Sequence, residues 1–132
     1  MVATNQSGIA RELFTVETLN TMHDKLRRLL SAFGGHIDGI FYCPHSADDN
    51  CECRKPKTGL FLDISERSKC DLNDVYAVGD SLRDLQAAEA AGAKPILVKT
   101  GKGLRTLEQK ENIKHIPVFD NLSHFVDDLL AN

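Results

Sequence analysis

Three of the four cysteines, a histidine and an Arg-Lys pair crowd into the stretch FYCPHSADDNCECRKP. Cys43-x-His45 and Cys51-x-Cys53, five residues apart, offer four soft or borderline donors, enough to close a tetrahedral zinc shell with no position left for substrate. A metal enclosed in that way holds shape and does no chemistry. The single residue inside each pair departs from the wider spacing of common zinc fingers, so a chance cluster stays open at this stage. A Cys51–Cys53 disulfide is a poor alternative because its ring is small and strained. Arg54 and Lys55 follow the last ligand directly. A metal that fixes the loop also fixes where these cations point, which suits phosphate; the plain alternative is a pair of solvated loop charges.

A second constellation is Gly79-Asp80-Ser81-Leu82-Arg83-Asp84, with one carboxylate at an expected strand end and another in the first turn of the next helix. Mg²⁺ is commonly held by one or two protein carboxylates together with water and substrate phosphate, so the pair fits phosphoryl chemistry. It equally fits acidic residues that favour a helix N-terminus electrostatically. Thr4 and Asn5 offer a hydroxyl and an amide that either shape a turn or bind a phosphate oxygen. Cys70 stands alone and receives no role. His23, His115 and His124 read as surface residues without a partner by spacing.

The elements that must position these groups follow from apolar periodicity. Val16, Leu19, Met22, Leu26, Leu29, Leu30 and Phe33 recur at helical spacing between a Thr15 N-cap and a Gly34-Gly35 stop. Gly39 to Tyr42 reads as a buried strand that delivers Cys43, and Pro44 to Pro56 as loop. Gly59 to about Ser68 reads as a helix, Val75 to Val78 as a fully buried strand, and Ser81 to Ala91 as a helix closed by Gly92. Pro95 to Val98 and Val118-Phe119 are further strands, and Leu122 to Leu130 a last helix. Met1-Val2-Ala3 looks like the tail of a strand ending at Thr4-Asn5. Such alternation predicts an α/β fold: three layers, with a mainly parallel Rossmann-like sheet whose carboxyl ends gather Cys43 to Lys55, Asp80 and Thr100-Gly101.

At 132 residues, 42% hydrophobic and 27% charged, the chain is expected to form one domain over residues 1–132 that buries roughly two-thirds of its unfolded surface. A net charge of −3 and a pI near 5.9 carry no basic excess and argue against nucleic-acid or membrane partners. MVATNQSGIAR has no targeting pattern and no apolar run reaches about 18 residues, so a soluble cytoplasmic protein is expected. In that reducing compartment clustered cysteines favour metal ligation or reactive thiols over disulfides.

Taken together, TNQSGIAR, FYCPH, CECRKPKTG, VGDSLRDLQAA and LVKTGKG resemble the haloacid dehalogenase (HAD)-like phosphatases, most closely their zinc-containing D-glycero-D-manno-heptose 1,7-bisphosphate 7-phosphatase branch. The resemblance runs from Thr4 to about Gly103. It implies a small phosphorylated sugar as substrate, with Thr4 and Asn5 on the transferred phosphate and Arg54 in substrate recognition. It further implies that Lys55 stabilises the phosphoryl group, Asp80 binds catalytic Mg²⁺, and Cys43, His45, Cys51 and Cys53 hold structural Zn²⁺ in a loop spanning 43–53. Asp84 is expected behind the site, and Ser81 stands where relatives often carry a lysine.

One departure is larger. The family places an Asp-x-Asp pair at the end of its first, central strand: the first aspartate attacks phosphorus and the second serves as general acid and base. No such pair precedes Thr4. Asp48-Asp49 belong to the zinc loop, and Asp71 and Asp74 to a turn. The expectation is an N-terminally truncated phosphatase whose sheet lacks its first central strand, inactive as it stands, with exposed sheet edges that favour poor solubility or pairing with another chain. Histidinol-phosphate phosphatase, which shares the zinc loop, is the nearest alternative, although Ser7-Gly8-Ile9-Ala10-Arg11 looks more like the heptose enzyme. A non-catalytic zinc-stabilised binding module is the alternative from another class, and retention of both Lys55 and Asp80 weighs against it.

Overall fold

The short apolar runs form five strands and the periodic stretches four of the five helices, in the order β1 (Val2–Asn5), α1 (Val16–Ser31), β2 (Ile40–Cys43), α2 (Gly59–Ser68), β3 (Tyr76–Gly79), α3 (Leu82–Ala90), β4 (Lys94–Val98), α4 (Gly103–Leu107), β5 (Val118–Phe119) and α5 (Leu122–Ala131). The computed structural model describes every residue from Met1 to Asn132. All strand pairs are parallel, as crossovers through helices require. The α/β class is therefore as the sequence predicts.

The strands do not form one continuous sheet. β1 pairs only with β2, in the register Val2 opposite Ile40 through Asn5 opposite Cys43, while β3, β4 and β5 form a second sheet in that order. Pro95 sits in the middle strand of the three, yet breaks no ladder. Its missing N–H faces the β5 side, where pairing begins only at Leu97.

Burial is uneven. Around the second sheet, Leu85 and Leu97 pack with Ile113 and Ile116 in one cluster, and Leu72 with Ala88 and Ala93 in another. Only three of the 16 buried residues, Leu19, Cys43 and Leu60, belong to the first sheet and its helices. The expectation that β3 is fully buried fails: Tyr76 is 44% and Val78 37% exposed, because nothing covers the outer edge of that strand. Burial of two-thirds of the unfolded surface is not reached either. A compact 14.6 kDa monomer exposes about 6,900 Å², and this chain exposes 8542 Å².

Helix ends follow their caps. Thr15 accepts a hydrogen bond from the Thr18 N–H at 3.2 Å and starts α1, which stops at Ser31, two residues short of Phe33, and turns out through Gly34 at φ +74°. Asn121 caps α5 by accepting from the His124 N–H at 2.9 Å. Helix α4 has no apolar period of its own and was absent from the sequence expectation. Gly103 permits it, since a Cβ there would lie 1.9 Å from the Val98 carbonyl oxygen.

Candidate active site and metal centre

β2 ends at the completely buried Cys43, and the loop that follows brings His45, Cys51 and Cys53 around it. The four donor atoms lie within 4.8 Å of one another. A tetrahedral zinc shell with Zn–S near 2.3 Å places sulfurs about 3.8 Å apart and sulfur and nitrogen about 3.5 Å apart. Cys43–Cys51 at 3.5 Å, Cys51–Cys53 at 3.7 Å, Cys43–His45 Nδ1 at 3.6 Å and His45 Nδ1–Cys53 at 3.3 Å match that geometry. Cys43 and Cys53 stand closer, at 2.8 Å, still well beyond a disulfide bond length of about 2.05 Å. The donor set is suited to zinc.

The thiols are electrostatically unlike one another. Burial pushes Cys51 up, but hydrogen bonds from the Arg54 N–H and the Cys43 and Cys53 thiols outweigh it and hold Cys51 at about 7. Cys53 is pushed up to about 12 by burial and then by its two sulfur neighbours. Apposed thiols, one favouring and one opposing the charged form, are an electrostatic situation that a divalent cation relieves.

Beyond the cluster the loop presents Arg54 and Lys55. Lys55 is held at four points. Its N–H donates to Asn5 Oδ1 at 3.0 Å and its carbonyl accepts from Asn5 Nδ2 at 3.2 Å. Its ammonium donates to the Ala3 carbonyl at 2.8 Å and pairs with Asp84 Oδ1 at 2.6 Å. One side chain thereby ties the carboxyl end of β1 to the first turn of α3. An ammonium has three N–H donors, so one remains for a ligand.

Asp84 is committed to this arrangement. Its other oxygen accepts from the Ser81 N–H at 3.1 Å and the Ser81 hydroxyl at 2.7 Å. Burial raises its pKa, yet Lys55 and Ser81 together hold it below the ordinary carboxylate range. Asp84 therefore positions Lys55, and Asp80 carries the accessible carboxylate. Asp80 Oδ2 accepts from the Lys102 N–H at 2.8 Å, and its backbone carbonyl accepts from Thr106 Oγ1 at 2.8 Å. The turn fits tightly over this carboxylate: a Cβ on Gly101, at φ +58°, would approach Asp80 Oδ2 to 2.2 Å. One Asp80 oxygen is left for a cation, which fits Mg²⁺ in chemistry and economy of ligands.

Thr4 accepts from Gln6 Nε2 at 3.0 Å, so its hydroxyl proton is free to donate. Arg54 lines a hollow of 230 Å³ with Lys55 and Lys57, and its Nη1 is buried with no protein partner. Lys57 pairs with Glu52 at 2.8 Å. Sequence reasoning did not foresee the supporting contacts of Lys102 and Thr106, because each depends on chain segments meeting from far apart, nor the local contact of Gln6 on Thr4. Two histidines read as partnerless are paired on the surface: His124 with Asp120 at 3.3 Å, four residues before it, and His115 with Glu89.

A family model described as HAD-hydrolase-like matches residues 52–125. The chain is 54% identical over 126 residues to the D-glycero-beta-D-manno-heptose-1,7-bisphosphate 7-phosphatase of Neisseria meningitidis serogroup A, covering 94% of this chain and 67% of that relative. It is 52% identical over 130 residues to the Bordetella bronchiseptica protein of the same name, covering 98% and 73%. The crystal structure of D,D-heptose 1,7-bisphosphate phosphatase from B. bronchiseptica, complexed with magnesium and phosphate, superposes with a TM-score of 0.93 at 51% identity, over 96% of this chain and 71% of that one.

Proposed function

The chain belongs to the HAD-like hydrolases, and on that premise we propose that it builds the phosphate-binding side of a Mg²⁺-dependent phosphatase acting on the 7-phosphate of D-glycero-D-manno-heptose 1,7-bisphosphate. The β anomer, named for these relatives, is the form to test first. The observation that carries the reading is the Arg54 guanidinium nitrogen, buried without a protein partner, on the residue next to Lys55, whose ammonium keeps an unused donor: both call for an anion.

Each side chain then has a task. The free N–H of Lys55 and the hydroxyl proton of Thr4 donate to the transferred phosphoryl group, where charge builds up during transfer. Asn5, already holding the Lys55 peptide, turns its second amide N–H to the same oxygens. Arg54 takes the more distant anionic or polar part of the sugar. Asp80 would hold Mg²⁺, which when bound offsets phosphoryl charge. Cys43, His45, Cys51 and Cys53 would hold Zn²⁺, which fixes the loop that carries Arg54 and Lys55 and stays outside the reaction.

The family's nucleophile and general acid come from an Asp-x-Asp pair, and none occurs among these 132 residues. We therefore expect this polypeptide, by itself, to bind the substrate and not to turn it over. Calorimetric titration with heptose 1,7-bisphosphate and with histidinol phosphate, each with and without Mg²⁺, tests both parts alongside a phosphate-release assay. The reading predicts Mg²⁺-strengthened binding that favours the heptose and no release above background. Preference for histidinol phosphate would overturn the substrate, and Mg²⁺-dependent release would overturn the predicted inactivity.

A further inference from the structure

The four donors of the metal centre are not held alike. Cys43 closes β2, where it stands opposite Asn5 in the ladder and its carbonyl accepts from the Gln6 N–H at 2.7 Å. Cys53 is set by its own flanks. The Glu52 carbonyl accepts from the Gly59 N–H at 3.1 Å, and Asn5 holds the peptide groups of Lys55, two residues on. Gly59 lies so close that a Cβ on it would stand 2.8 Å from the Cys53 Cα. Backbone contacts on either side thus appose these two thiols, whose sulfurs are 2.8 Å apart. His45 and Cys51 lie on the loop between them, where the Ser46 N–H bonds only locally, to Asp49 at 2.7 Å.

We infer that Cys43 and Cys53 are a redox pair inside the zinc site, which a hydroperoxide converts to a disulfide with release of the metal. Cys43 is completely buried and Cys53 half-buried, so the oxidant meets Cys53 first and Cys43 resolves the product. The Cys53 sulfur attacks the peroxide O–O bond, forming a sulfenic acid and releasing water. The Cys43 sulfur then attacks the Cys53 sulfur, the S–O bond breaks, and a second water leaves. The sulfurs give up two electrons to one peroxide; both waters are completed by the thiol protons, or by solvent protons when the sulfurs begin as metal-bound thiolates. The other pairings are poorer: Cys51–Cys53 closes a small strained ring, and the Cys51 sulfur is farther from Cys43, at 3.5 Å. Once the bridge closes, His45 and Cys51 are two donors where a structural zinc site uses four. Cys70 is exposed and outside the cluster, so it has no thiol beside it to resolve oxidation. The inference rests on the zinc assignment and is independent of the substrate.

The test loads the full 132-residue chain with zinc under reducing conditions, removes the reductant and adds hydrogen peroxide. Zinc release is followed with a chromogenic chelator, and cysteine states by mass spectrometry of alkylated, unreduced peptides. A Cys70→Ser variant is treated in parallel. The expected result is about one zinc released for each Cys43–Cys53 disulfide, to the same extent in both proteins. Dithiothreitol with fresh zinc should restore the starting state. Zinc that stays bound while Cys70 alone is oxidised, a bridge to Cys51 instead, or sulfinic acids without any bridge would each overturn the inference. A chain that takes up no zinc would overturn it together with the metal assignment. Sugar-phosphate binding is read by calorimetry on the reduced, zinc-loaded chain, so a peroxide-resistant centre leaves the phosphatase reading standing and the two failures are distinguishable.

Discussion

The two sheets are stabilised by different physics. Residues around β3, β4 and β5 bury leucines and isoleucines in two apolar clusters, whereas β1 and β2 bury only Leu19, Cys43 and Leu60 with their helices, and the fully enclosed Cys43 belongs to the thiol–imidazole cluster. The half that carries Arg54 and Lys55 is the half with little hydrocarbon behind it. A metal centre supplies there what packing supplies in the other half, and the Lys55–Asp84 pair is a polar seam between them.

Breaking each support separately should expose the difference. The largest effect is expected from zinc removal, since structural zinc in small peptides is worth about 10–16 kcal/mol of apparent folding free energy. Chelation should release one zinc per chain and abolish amide protection in β1 and β2 while β3 to β5 keep theirs, as read by hydrogen exchange; uniform loss or no loss would erase the distinction. Leu97→Ala should act in the opposite half, lowering stability by about 2–5 kcal/mol in denaturant unfolding and leaving zinc stoichiometry intact. Lys55→Met should be milder, about 1–3 kcal/mol, because it leaves the Asp84 carboxylate without its cation. It should also abolish sugar-phosphate binding.

The smallest effect concerns pH. Asp84 has its folded pKa depressed by Lys55 and Ser81. A carboxylate of that kind contributes stability that is complete above its unfolded value, near pH 4, and lost as pH falls through the folded value. The stability difference between wild type and Asp84→Asn should therefore be constant above about pH 5 and shrink towards zero on acidification. A difference that instead grew in acid would mean that Lys55 and Ser81 do not favour the charged form.

Much of this contrast was legible in the sequence. Cys43-x-His45 and Cys51-x-Cys53 announced four donors, and the alternation of Val75 to Val78, Ser81 to Ala91 and Pro95 to Val98 announced a parallel α/β core, because local spacing encodes both. The exposed side of β3 was not legible: Tyr76 and Val78 are as apolar as a buried strand requires, and only tertiary pairing decides what covers them. Helix α4 was hidden for a related reason, since it is set by the close approach of Gly103 to Val98 and by no period of its own. The roles within the Asp80–Asp84 pair were legible only through the family resemblance, which already put Asp84 behind the site. Spacing made them two equivalent carboxylates, and only the hydrogen bonds show Asp84 occupied by Lys55 and Ser81 while Asp80 keeps an oxygen free.

In the proposed function a zinc-pinned loop delivers Lys55 and Arg54 to a phosphate. The decisive measurement is calorimetric titration of heptose 1,7-bisphosphate in Mg²⁺ into zinc-loaded chain, zinc-stripped chain and the zinc-loaded Lys55→Met variant. Binding to the zinc-loaded wild type alone is the predicted result. Equal affinity in all three would contradict it, since neither the metal nor the lysine would then be shaping the site.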